Sequence, residues 1–171
     1  RVVFVGPCAA KKLEASRKSV RSEVDFVLTF EEIGAMFEAK GIDFASLKPD
    51  EADPFTQASS DGRGFAVSGG VAKAVVNCIK AKEPEREVLV ESAEGLANCK
   101  KMLKLAKSGK YDGYLLEGMA CPGGCVAGAG TLLPITRATT AVKKYTNSSD
   151  KLNANDSKYK DYLERLIEEY K

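Results

Sequence analysis

The chain has 171 residues, enough for one substantial core, and its 44% hydrophobic and 29% charged residues are values of a folded domain, which argues against extended disorder. Lys and Arg number 26 against 24 Asp and Glu, mixed along the chain, so nucleic acid meets no sustained positive field, and no apolar run approaches the ~18 residues of a membrane span. There is no histidine, which removes Ser-His and Cys-His nucleophile pairs and every zinc site that needs imidazole.

Val2 to Val5 is a short β-branched run ended by Gly6-Pro7, and it predicts a buried strand entering a loop. A strand starting directly after Arg1, with no initiator Met, is expected of a piece cut from a longer chain. Phe26 to Leu28 predicts a second strand. Thr29 and Glu32 form a capping box for a helix running to Lys40, with Gly41 as its stop and Ile33, Met36 and Phe37 on one face. Lys48 to Gly64 is polar and rich in Asp, Ser and Gly, as an excursion over the surface would be.

Phe65 to Val67 reads as a third strand, followed by Ser68-Gly69-Gly70 and a helix from Val71 to Lys82. Val88 to Val90 reads as the next strand. A helix from Glu94 to Ser108 then carries Leu96, Cys99, Leu103 and Ala106 on its apolar side, and the basic cluster Lys100 to Lys107 forms its wet face. Tyr114 to Leu116 is the last strand and delivers the chain into Met119-Ala120-Cys121. Alternating strands and helices predict an α/β fold with a largely parallel sheet flanked by helices. After Thr131 a helix covers Pro134 to Lys144. Residues 147–171 then read as a polar linker and a C-terminal helix, capped by Ser157, with Tyr159, Tyr162, Leu163, Leu166, Ile167 and Tyr170 in one stripe. This tail is set apart from the lobe formed by residues 1–146.

The five cysteines are an odd number with no secretory signal ahead of them, which favours a reducing, cytoplasmic compartment over a disulfide framework. In an α/β sheet, ligands gather at the C-terminal ends of strands. Two such ends carry cysteine here: Gly6-Pro7-Cys8 after the first strand, and Cys121-Pro122-Gly123-Gly124-Cys125 after the last. Gly123 and Gly124 leave room beside a cofactor and N–H groups for sulfur, and a helix opened by Cys125 favours thiolate through its dipole. Soft thiolates without histidine point to iron–sulfur before zinc; the plainer alternative is ordinary cysteines in glycine turns. Cys78 and Cys99 lie mid-helix on apolar faces and read as small hydrophobes.

The run Met119-Ala120-Cys121-Pro122-Gly123-Gly124-Cys125 resembles, at all seven positions, the Met-Ala-Cys-Pro-Gly-Gly-Cys signature of the iron-only (FeFe) hydrogenase family. Phe4 to Glu14, through Gly6-Pro7-Cys8-Ala9-Ala10-Lys11-Lys12-Leu13-Glu14, is similar to that family's Met-Pro-Cys-Thr-x-Lys-x-x-Glu motif. Asp25 to Thr29 with Glu31-Glu32, and Ser68-Gly69-Gly70-Val71, resemble further family segments, so the likeness runs over residues 1–135.

The resemblance implies one lobe of a cluster-binding domain. It implies a 4Fe-4S cubane with Cys8 and Cys121 among its ligands, and Cys125 bridging to a diiron subcluster, the two parts of an H-cluster. Lys11 would bond a cyanide of that subcluster, or remain a solvated lysine, and Met119 would pack beside it, or simply in the core. Glu14 is expected only to belong to loop structure. The activity implied is reversible proton reduction to hydrogen with electrons from ferredoxin or another carrier, the N-terminal part of the same protein being a partner.

Three departures stand out. The family's Thr-Ser-Cys-Cys-Pro motif, which supplies a fourth ligand, is absent and belongs upstream of Arg1, so the isolated chain is expected to lack the complete cluster and activity. Gly6 and Ala9 replace the methionine and threonine flanking Pro-Cys, and Gly128-Ala129-Gly130-Thr131-Leu132 replaces Gly-Gly-Gly-Gln-Pro. These changes resemble sensory branches of the family, which keeps a hydrogen- or redox-sensing module as an alternative. A hydrogenase-like iron–sulfur assembly protein is another, against which Lys11 and Met119 speak.

Overall fold

The computed structural model describes residues 1–20, 23–48 and 58–169, without the side chains of residues 163, 164, 166 and 167. Strand β1 (Val3–Val5) leads through helix α1 (Ala10–Ser16) into β2 (Phe26–Leu28), and the two strands pair in parallel with Val3 beside Phe26 and Val5 beside Leu28. Asp25 sets the entry to β2: its carboxylate accepts from the Val2 N–H at 2.7 Å and pairs with Arg1 at 3.0 Å. Helix α2 (Phe30–Ala39) begins at the expected box, where Thr29 Oγ1 accepts from Glu32 N–H and the Glu32 carboxylate accepts from Thr29 N–H. It stops at Lys40, and Gly41 follows at φ +66°, a conformation suited to glycine. Ile33 and Phe37 are half-buried, but Met36 is exposed, so the inward stripe is narrower than expected.

Part of the expected surface excursion, residues 49–57, lies outside the described residues. Beyond it Ser60–Arg63 forms a short helix, α3, capped by the Ser59 hydroxyl. Phe65 to Val67 is not a strand. Its backbone turns, with Val67 N–H donating to Gly64 O at 3.1 Å, and the Ala66 carbonyl is used by the later cysteine loop. Helix α4 (Gly70–Lys82) follows.

The second parallel pair joins β3 (Val90–Glu94) to β4 (Leu115–Met119) through α5 (Leu96–Lys107), in register from Val90 beside Leu115 to Glu94 beside Met119. The strand expected at Val88 thus begins two residues later, and Glu94 ends a strand instead of starting a helix. On α5 the buried residue is Met102, with Cys99 and Ala106 half-buried, whereas Leu96 is 74% and Leu103 60% exposed. The expected apolar side is therefore rotated toward Met102, because the helix leans on the strands through that edge.

The fold is α/β with parallel strands flanked by helices, as expected, but the described strands form two separate pairs instead of one sheet. Each pair is closed through a helix, as parallel strands require. Helix α6 (Ile135–Asn147) and the segment after it reach back to α3: Ser60 N–H donates to Lys151 O at 2.7 Å, Asp61 N–H to Leu152 O at 3.0 Å, and Arg63 stacks on the Tyr145 ring at 4.3 Å. Helix α7 (Lys160–Glu169) closes the chain. Ser157 Oγ accepts from Tyr159 N–H just before it.

The core is small. Among the described residues only Ala72, Ala74, Met102 and Val126 are buried apolar side chains. On the β1–β2 pair, Val3, Val5 and Phe26 occupy one face and are 48%, 42% and 58% exposed. Parallel strands are ordinarily covered on both faces, so this surface has the character of an interface.

Candidate metal centre

The two cysteine loops meet. Cys8 leaves β1 through Gly6-Pro7, with Gly6 N–H still donating to Leu28 O at 3.0 Å. The Pro7 carbonyl accepts from Gly130 N–H at 3.0 Å, and a Cβ on Gly128 would lie 2.2 Å from the same oxygen. Only glycine lets the segment after Cys125 lie this closely against the segment before Cys8. At the other side, Val126 N–H donates to Ala66 O at 3.0 Å and Ser68 N–H donates to Gly123 O at 3.1 Å.

Inside the Cys121–Cys125 turn, Gly124 stands at φ +96° and its N–H donates to Cys121 O at 3.0 Å. A Cβ there would lie 2.5 Å from Ser68 N. The two glycine N–H groups are thus already engaged, Gly123 with Glu94 Oε2 at 2.9 Å, and the space beside Gly124 is filled by backbone. The glycines serve close packing of the loop, contrary to the expectation that they leave room and donors for a cofactor. Cys125 opens a single turn of 3₁₀ helix, Cys125–Ala127, and not a longer helix.

Burial pushes the Cys125 thiol up, and the neighbouring Cys8 and Cys121 raise it further, while the Lys11 charge acts in the opposite direction. The expected helix-dipole activation lacks its helix, since only the one turn Cys125–Ala127 follows this exposed cysteine. The same interactions show that Cys8, Cys121, Cys125 and Lys11 share one neighbourhood. Three thiolates held together repel, and a positively charged iron–sulfur core relieves that repulsion. Among the described residues no three His, Cys, Asp or Glu side chains surround a single metal ion. A cubane differs from such a site in presenting separate iron atoms to separate thiolates, and an all-sulfur donor set without imidazole fits it.

Lys11 Nζ is held by Glu14 at 2.7 and 2.9 Å, so Glu14 lies on helix α1 as the lysine's partner instead of in a loop. Met119, half-buried at the end of β4, receives hydrogen bonds on its carbonyl from Gly95 N–H at 2.8 Å and from Cys99 Sγ at 3.6 Å. Cys99 also reaches Ala93 O at 3.4 Å and clips α5 to the strands. Cys78 lines an apolar groove with Phe65, Val75 and Ile79, a groove that contains none of the loop cysteines.

Two carboxylates escaped the sequence patterns. Glu117 is buried on β4 and accepts from Gly69 N–H and, at 3.0 Å, from Ala72 N–H. It caps α4, whose own cap, Gly69, has no side chain. A charged residue inside Leu115-Leu116-Glu117-Gly118-Met119 was the available signal, since a buried carboxylate must find donors. Glu94 had no comparable signal, because its partner is a backbone N–H far away in sequence.

The family model for the iron-only hydrogenase large subunit, C-terminal domain, matches residues 1–129. The chain belongs to this family. A periplasmic [Fe] hydrogenase large subunit of Nitratidesulfovibrio vulgaris is 31% identical over 159 residues, covering 75% of this chain and 38% of the relative. The cytosolic iron-sulfur assembly component 3 of Mus musculus is 29% identical over 166 residues, covering 76% and 35%. In fold, the chain is similar to an [FeFe] hydrogenase whose H-cluster 2Fe subcluster is modified and degraded on oxygen inactivation. The TM-score is 0.63 at 21% identity, over 98% of this chain and 58% of the other. The chain spans 38% and 35% of the length of these two curated relatives.

Proposed function

We propose that this hydrogenase-family domain supplies Cys8, Cys121 and Cys125 to an H-cluster, in a protein that reversibly reduces protons to hydrogen. The meeting of the two cysteine loops, where Gly130 N–H donates to Pro7 O and Gly128 packs against the same carbonyl, supports the reading. Cys8 and Cys121 would hold a 4Fe-4S cubane and Cys125 would bridge to a diiron subcluster. Such a cluster supplies the redox and hydrogen chemistry, while the protein ligates it, orients it and excludes water. Lys11 is the proposed donor to a cyanide of the subcluster, and Met119 the residue packed beside it. For that role Lys11 must exchange its partner Glu14; both side chains are over 40% exposed, and such a pair is worth about 0–1 kcal/mol, so the exchange is cheap.

Two further features support the proposed partners. The exposed Val3, Val5 and Phe26 face suits another lobe of the same protein. Along α5, Lys100, Lys101, Lys104 and Lys107 are exposed, and an acidic electron carrier such as ferredoxin would be steered to that face.

Infrared spectroscopy of the matured full-length protein tests the reading, because iron-bound CO and cyanide absorb where protein does not. Cys125→Ser is expected to abolish these bands, since a serine oxygen is a harder, poorer ligand for low-valent iron. Bands at wild-type strength in the variant would show that Cys125 does not bridge. The second reading is iron–sulfur assembly, which the likeness to assembly component 3 supports. A wild-type protein that takes up cubane iron but never shows CO or cyanide bands would decide for it.

A further inference from the structure

The Cys121–Cys125 turn is held from one side by a carboxylate that cluster ligation does not require. Glu94 ends β3 in register with Met119 of β4, and its Oε2 accepts the Gly123 N–H at 2.9 Å. On the other side of the same residue, Ser68 N–H donates to Gly123 O at 3.1 Å. Through Gly123, Glu94 therefore ties the tip of β3 to the centre of the cysteine turn, which is bonded in turn to the segment before α4. The turn before α4 is itself fixed from within, because Gly69 N–H donates to the buried Glu117. The Gly123 N–H first, and the nearby Ser68 hydroxyl after it, hold the Glu94 carboxyl below its usual range.

We propose that Glu94 is a positioning residue for Cys121 and Cys125: by occupying the Gly123 N–H it fixes the turn, and with it the setting of the half-buried Cys121 and the exposed Cys125, before any cluster is present. Its effect on the thiols stands independently of cluster binding; its effect on iron loading rests on the function proposed above.

The test uses full-length protein purified without cluster, with iodoacetamide labelling of each cysteine followed by mass spectrometry. Glu94→Ala is expected to raise the labelling rates of Cys121 and Cys125 about fivefold, for the loss of one charge-assisted hydrogen bond. Cys8 and Cys78 are expected to keep their rates. Glu94→Gln, which retains an acceptor oxygen, is expected to restore both loop cysteines to within about twofold of wild type. Unchanged rates at Cys121 and Cys125 in Glu94→Ala would overturn the proposal. So would an equal rise at Cys8 and Cys78, which would mark general loosening. After anaerobic reconstitution, Glu94→Ala is expected to hold several-fold less iron than wild type, and Glu94→Gln to recover it. If the wild type itself takes up no iron, cluster binding fails, while the labelling contrast still decides the role of Glu94.

Discussion

The Sγ of Cys99 lies 3.4 Å from Ala93 O and 3.6 Å from Met119 O, and a Cβ on Gly118 would come within 3.3 Å of it. This thiol packs a helix onto two strands, close in the fold to the loop cysteines yet with its sulfur directed at backbone. Cys99→Ala and Cys78→Ala are each expected to lower stability by about 1 kcal/mol in chemical denaturation and to leave iron content unchanged. Loss of iron from either variant would make that cysteine a ligand. Glu32 offers a pH signature of another kind. Its carboxyl is held below the ordinary value of 4.5, mainly by the hydrogen bond from Lys12 and then by the Thr29 N–H. A carboxylate with a lowered folded pKa contributes stability that is fully present above its unfolded pKa and lost as pH falls through the folded one. Denaturation midpoints are therefore expected to fall as pH drops below 4.5, and Glu32→Gln to remove that part of the slope.

At the scale of elements, the site depends on how loops and helix starts are joined. Thr29 caps α2 and also touches the segment after Cys125, where a Cβ on Gly130 would lie 2.5 Å from Thr29 Cβ. Thr29→Ala is expected to lower stability by about 1 kcal/mol, with Thr29→Ser recovering most of it, as read by urea unfolding. Gly124→Ala should be harsher. It places a side chain at φ +96° and 2.5 Å from Ser68 N, so strain of about 1–3 kcal/mol is joined by displacement of the cysteine turn. The expected result is a lower unfolding midpoint together with reduced iron in reconstituted full-length protein. Normal iron with only a lower midpoint would separate loop geometry from ligation.

At the scale of the whole molecule, the described core is too small for the apolar surface around it. Val3, Val5 and Phe26 stay exposed on parallel strands, and only three cysteines match ligand positions. Residues 1–171 expressed alone are expected to fold without a stoichiometric 4Fe-4S centre, since a cubane takes four protein thiolates. Iron counting after anaerobic reconstitution checks this, and one full cluster per chain would refute it. The sequence by itself determined the local features: the Thr29–Glu32 box, the stop at Gly41, the alternation of strands and helices, and the seven-residue cysteine motif. Each depends on neighbours a few residues apart, where backbone preference and spacing are sufficient. Tertiary structure decided the rest. Phe65 to Val67 has strand-like composition, but the Ala66 carbonyl is taken by Val126 N–H. Leu96 and Leu103 are apolar, but α5 leans on Met102. Gly123 and Gly124 look open, but Glu94 and Ser68 occupy their surroundings. In each case the deciding partner is distant in sequence, and hydrogen bonds and contacts between remote segments leave no periodic trace in either of them.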